Sequence, residues 1–262
     1  MLSPVQFALG GFAGSLVGFT LGLVGGGGSI LAVPLIVYLV GVSNPHVAIG
    51  TSAFAVAVNA GINLATHARA RTVRWPVAAL FAAAGVVGAM LGSTIGKAVD
   101  GQKLLAAFAL LMLVVGVLML RSRRADHDAA GSVVPHRSVR VSAVGGLTGL
   151  LSGFFGIGGG FLVVPGLMYS ARLPILYAVG SSLIAVAAFG LTTAINYARA
   201  GWVDWPLAGV FIGGGIIGGV VGARLAHRLS RRKGALNLVF AALIFTVAIY
   251  MLYRSGHTLG LW

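Results

Sequence analysis

Apolar residues gather in runs at roughly 5–24, 29–40, 47–67, 76–96 and 104–120, then 141–155, 161–170, 176–198, 206–226 and 235–253. Most approach the roughly 20 residues that a helix needs to cross a hydrocarbon core of about 30 Å. The second run of each half is too short. Residues 29–40 reach only about 18 Å as helix, at 1.5 Å per residue. The stretch 141–155 is short as well. The pattern predicts an all-α polytopic membrane protein with 8–10 membrane segments.

The polar positions punctuate this pattern twice over. "GLVGGGGSILAVP" (22–34) aligns with "GFFGIGGGFLVVP" (153–165) at 7 of 13 positions. After a one-residue shift, residues 48–76 align with 178–206 at 12 of 29 positions. Gly85, Gly88 and Gly92 then fall on Gly215, Gly218 and Gly222. Alanine and glycine inflate such counts, but the matched Arg69/Arg199, Trp75/Trp205 and Pro76/Pro206 are not explained that way. An internal duplication follows: a first membrane repeat over 1–123, a polar linker over 124–137 and a second membrane repeat over 138–262.

Charge decides how the repeats face. If 5–40 is one broken span, the halves lie parallel and the Lys and Arg residues divide 10 against 8. If 5–24 and 29–40 run up and back, the halves are inverted and the division is 14 against 4, with only Lys97, Lys103, Arg199 and Arg254 on the poorer side. The positive-inside bias favours inversion. Each repeat is then a broken or re-entrant short helix pair plus three transmembrane helices. The linker is expected in the cytoplasm and both termini in the periplasm of a bacterial inner membrane.

Composition narrows the function. The chain is 58% hydrophobic and 8% charged, where soluble domains carry about 25% charged residues. The net charge of +14 sits in short loops, which suits topology and anionic headgroups rather than nucleic acid. The chain has no cysteine, which excludes disulfides and thiol catalysis. The first Lys or Arg is Arg69, so no basic n-region of a signal peptide opens the chain. The only acids are Asp100, Asp126, Asp128 and Asp204, all outside the apolar runs. No metal site, cofactor or catalytic residue is expected, and an enzyme is not. Partners reduce to a small anion and membrane lipid. The oligomeric state stays open, a homodimer being one option.

Four consecutive glycines should break a helix, at about 1 kcal/mol each relative to alanine. A helix restarting near Ser29, or near Gly160 in the second half, leaves its first N–H groups without intrahelical partners. Those donors and the helix dipole favour an anion, and inverted-repeat transporters place such breaks at the midplane. Close helix packing is the other use of the same glycines. The candidate ligand-facing break residues are Gly27, Gly28, Ser29, Gly158, Gly159 and Gly160. The next helix carries Ser52, Asn59, Asn63 and Thr66 on one face, and its partner carries Ser182, Thr193 and Asn196. Thr51-Ser52 match Ser181-Ser182. These neutral donors suit an oxyanion, and helix–helix hydrogen bonds fit the asparagines equally well. His67 and Tyr197 occupy equivalent places as candidates for gating or a proton relay. Arg69 and Arg199 are candidates to gather anions at opposite mouths, or snorkelling terminal charges. No buried carboxylate is available for proton or sodium coupling. Outward movement of an anion from a negative-inside cell needs no coupling ion, so export is favoured.

The Gly-rich–Val-Pro element with "HVAIGTSAFAV", together with "GWVDWP", resembles the TauE/SafE family of sulfite and organosulfonate exporters, in the 4-toluene sulfonate uptake permease-like superfamily. The resemblance covers nearly the whole chain. It implies an inner-membrane permease for sulfur anions such as sulfite, sulfoacetate or taurine-derived products. Uptake of sulfate or thiosulfate is the alternative direction. "GWVDWP" has its counterpart in "RTVRWP", so Arg74 stands where the second half has Asp204.

Overall fold

A computed structural model describes residues 3–121, 137–156, 158, 160–229 and 245–254. The linker, apart from Arg137, and residues 230–244 lie outside them. The first half holds α1 (Pro4–Val24), a return segment over 25–39, α3 (Pro45–Arg69), α4 (Trp75–Ala98) and α5 (Gly101–Arg121). The return segment is a 3₁₀ stretch (Gly25–Leu31), one α-turn (α2, Ala32–Pro34) and a π stretch (Leu35–Leu39). The second half holds α6 (Arg137–Phe155), α7 (Gly160–Ala171), α8 (Ile175–Ala198) and α9 (Trp205–Leu229), and residues 245–254 are helical. Six of these helices, α1, α3, α4, α6, α8 and α9, are long and apolar enough to cross a membrane. Their outer faces are apolar. Val87, Leu91 and Ile95 are exposed along one side of α4, and Ile217 and Val221 recur at the matching places on α9.

The short runs double back. The Gln6 side-chain amide donates to Val40 O at 3.2 Å, so the chain returns along α1 to its starting end. In the second half the Arg140 guanidinium lies 4.1 Å from the Tyr169 ring centroid, which lays α7 back along α6. α6 starts at Arg137, earlier than the apolar run at 141, and Arg137 and Arg140 lie in its first turn. The two return segments differ. α7 is a regular helix that tolerates Pro165. In the first half a new α-helix does not start at Ser29, as the sequence suggests. The glycine run instead tightens into 3₁₀ turns, and the coil widens after Pro34, where Val40 N–H donates to Leu35 O at 3.0 Å.

Two seams join the halves, and they repeat each other. In the α1–α9 seam a Cβ on Gly14 would meet Phe211 O, one on Gly18 Gly215 O, one on Gly218 Ser15 O and one on Gly222 Phe19 O. In the α4–α6 seam Gly145 faces Phe81 O, Gly149 faces Gly85 O, Gly88 faces Gly146 O and Gly92 faces Leu150 O. These are the same four contacts under the sequence alignment. Small residues let helix backbones touch, which is how helices associate where lipid supplies no hydrophobic drive. Between the seams α3 and α8 run in opposite directions, with Gly50 beside Tyr197 and Gly190 against Ala53 and Ala57.

Substitution separates seam glycines from idle ones. Gly18→Ala and Gly149→Ala should each cost about 2 kcal/mol through overpacking and lower the thermal midpoint in detergent. Gly61→Ala and Gly213→Ala, whose Cβ would meet nothing within 4 Å, should leave it unchanged or raise it.

Candidate functional site

The second glycine break reaches the middle of the bundle. Gly156 and Gly158 adopt the left-handed φ values of 68° and 65°, which glycine accepts without a Cβ penalty. Gly158 lies between Val56 and Val186, near mid-length of α3 and α8, with a Cβ position 3.2 and 3.6 Å from their methyl groups. α7 therefore starts at Gly160 deep inside the protein, its first N–H groups lacking intrahelical partners. The 3₁₀ stretch of the first half packs against α7 and α8 at the same place, and Ser29 in it is fully buried. Gly28 has a packing duty. A Cβ there would meet the backbone of Thr20 and Leu21, and its carbonyl accepts from the Thr20 hydroxyl at 3.3 Å. Gly27 sits within the 3₁₀ stretch, and Gly159 lies outside the described residues.

The hydroxyl pairs turn out to be fasteners. Thr51 Oγ1 accepts from Asp204 N at 2.9 Å, and Ser181 Oγ accepts from Arg74 N at 2.9 Å. Each ties one half to the residue just before the third long helix of the other. Ser52 and Ser182 donate to Ile49 O and Val179 O, one turn back on their own helices. Asp204 itself caps α9, its Oδ1 accepting from Leu207 N at 3.0 Å. Arg74 makes no side-chain cap and lies 4.4 Å from the Tyr177 ring centroid instead. The Asp/Arg difference between the halves is thus a difference of capping.

The remaining predicted residues divide. Asn59 is 1% exposed at the α3–α9 contact beside Gly215, and neither its amide nitrogen nor its oxygen has a partner. Leaving a buried polar group unmade costs roughly 1–3 kcal/mol. Its counterpart is Phe189, which fills the same place beside Gly85. Thr193 Oγ1 and Ser152 Oγ are likewise fully buried and unpartnered. Asn63 is spent locally, donating to Asn59 O at 2.9 Å, and Thr66 is exposed. Asn196 is also engaged: its amide donates to Ser93 Oγ at 2.7 Å and Thr94 Oγ1 at 3.0 Å, and its oxygen accepts from Lys97 Nζ at 2.7 Å. Half-buried His67 pairs through Nδ1 with Thr72 Oγ1 at 3.0 Å. Tyr197 is fully buried against Trp202 with its hydroxyl unpartnered. Arg69 and Arg199 are exposed at opposite ends of the antiparallel pair.

At mid-depth the structure places the turn that leads into α7 between apolar side chains of α3 and α8. Among the described residues no three His, Cys, Asp or Glu side chains gather in a metal-binding group. Sequence reading missed Ser152, Thr20 and Lys97. Lys97 stands one residue beyond the apolar run that ends at 96, and its charge alone was counted. Its spacing of four from Ser93 was the available signal.

Thermal midpoints in detergent distinguish the two kinds of hydroxyl. Thr51→Val removes an acceptor from Asp204 N–H and should lower stability by about 1 kcal/mol. Thr193→Val removes a hydroxyl without a partner and should leave stability equal or higher.

Comparison with known proteins agrees with this architecture. The family described as "Sulfite exporter TauE/SafE" matches residues 10–251. A "Probable membrane transporter protein" of Xylella fastidiosa (strain 9a5c) is 55% identical over 248 residues, covering 94% of this chain and 95% of that protein. The "Probable membrane transporter protein YunE" of Bacillus subtilis (strain 168) is 27% identical over 223 residues, covering 77% and 81%. A further relative, "Probable membrane transporter protein MJ0441" of Methanocaldococcus jannaschii, is 24% identical over 257 residues, covering 90% and 93%. No solved structure matches the chain significantly. The family and these relatives are transporters, not enzymes. With its long apolar helices, the chain is a multi-pass membrane protein of the TauE/SafE transporter family.

Proposed function

We propose that this transporter exports small sulfur-containing anions, such as sulfite, sulfoacetate or other organosulfonates, through a site between the two return segments. The observation that carries the reading is the start of α7 beside Val56 and Val186. A helix N-terminus offers N–H donors and a positive dipole end, and the bilayer has no water to satisfy them. Ser29, Asn59 and Thr193 add neutral donors and leave the anion its charge. The side chains of Asn59 and Phe189 make the two flanks unequal, polar toward α9 and aromatic toward α4. That suits a ligand with an oxyanion head and a small apolar remainder.

The two repeats are inverted in this reading, which the opposed directions of α3 and α8 support. The termini then face the periplasm and the linker the cytoplasm, in a bacterial inner membrane. Export needs no coupling carboxylate. Each unit of negative charge gains about 2.3 kcal/mol per 100 mV on leaving a negative-inside cell.

Proteoliposomes loaded with sulfite or a sulfonate should lose it faster when an inside-negative potential is imposed. Thr193→Val and Asn59→Leu should slow that loss at least tenfold, about 1.4 kcal/mol, without loss of folded protein. Absence of flux across sulfite, sulfonates, sulfate and thiosulfate would end the reading, and sodium- or pH-driven entry would replace it with uptake. For topology, a cysteine placed at Ser132 should resist an impermeant thiol reagent added from the periplasmic side, and its labelling would refute the orientation.

A further inference from the structure

Among the described residues, Lys97 is a cation that no carboxylate balances. It lies in the last turn of α4, where a lysine normally extends its ammonium outward to the headgroups. Here the side chain turns inward onto α8. Nζ donates to Asn196 Oδ1 at 2.7 Å and to Asn196 O at 3.2 Å, both neutral acceptors. Asn196 is 6% exposed and is itself fixed by Ser93 and Thr94. An ammonium carries three N–H bonds, so one remains after these two. Asp100, the acid nearest in sequence, is occupied in capping α5, its Oδ1 accepting from Gln102 N and Lys103 N at 3.0 and 3.1 Å. Among the described residues no carboxylate pairs with Lys97.

Its place gives the charge a use. Gly96, the preceding residue, lies against Phe154 O near the end of α6. The chain then turns through Gly156, beside Ile49, and descends to Gly158 at mid-depth. The ammonium therefore stands at the end of the α4–α6–α8 wall from which the glycine turn dips inward. In sequence the counterpart of Asn196 is Thr66, which is exposed, and the counterpart of Lys97 is His227.

We propose that Lys97, aimed by Asn196, binds the transported anion at this mouth, its third N–H and unbalanced charge taking one oxygen of the sulfite or sulfonate head. This rests on the anion-transport reading above. A purely structural lysine would serve only as a cap on the last carbonyls of α8, and a change of charge that keeps the cap would then be silent.

Asn196→Asp makes that change, since it sets a carboxylate of nearly the same shape on Lys97 and leaves the Asn196 backbone carbonyl in place. In proteoliposome exchange assays with sulfite, the KM of this variant should rise at least tenfold in protein that stays folded, the Ser93 and Thr94 hydroxyls turning from Met90 O to donate to the new carboxylate. Wild-type KM should climb with ionic strength, and that dependence should flatten in the variant. Lys97→Met should behave alike, and Lys97→Arg should keep transport near wild type. A wild-type KM and salt dependence in Asn196→Asp, beside a working wild-type protein, would overturn this inference alone. A wild-type protein that carries no anion would overturn the transport reading and this inference with it.

Discussion

Everything in this fold depends on backbones meeting without side chains between them. Lipid tails are as apolar as leucine, so burying apolar surface gives a helix no reason to leave them. What remains is close packing, and Gly14, Gly18, Gly145 and Gly149 supply it by letting a neighbouring carbonyl occupy the volume of a Cβ. The seams hold α1 to α9 and α4 to α6. They leave α3 and α8 crossed in the centre, and only there can the glycine turn at 156–158 descend between two valines. The site position is thus a consequence of how the outer helices approach one another.

The two halves share a scaffold of matching hydrogen bonds, and the proposed chemistry rests on where they differ. Thr51 and Ser181 do the same work in both halves, as do Ser52 and Ser182. These repeated hydrogen bonds are structural. Asn59, where the other half has Phe189, is left without hydrogen-bond partners. A transporter that moves one kind of ion gains from unequal sides, since a ligand with a charged head and a different tail is not symmetric either.

Much of the fold was legible because membrane insertion constrains length and polarity so tightly. The apolar runs predicted the helices, and the alignment of Gly85, Gly88 and Gly92 with Gly215, Gly218 and Gly222 anticipated the seams. The polar residues were less legible. Periodicity puts Thr51 and Ser181 on a helix face but cannot show that a loop N–H from the other half lies opposite. Nor can it separate Asn63, satisfied by its own helix, from Asn59, which is not. The sequence places a new helix start near Ser29 that the structure does not have, because 3₁₀ and π winding have no signature in apolar spacing.

The exchange of partners also fixes an order of assembly. α1 emerges first from the ribosome, yet the helix that buries its glycine face begins at Trp205. At synthesis rates of 5–20 residues per second, α1 waits roughly 10–40 seconds with its glycine face uncovered. The α4–α6 seam, closer in sequence, closes earlier. The chain is therefore completed from its middle outward, and its first helix is among the last to find its place.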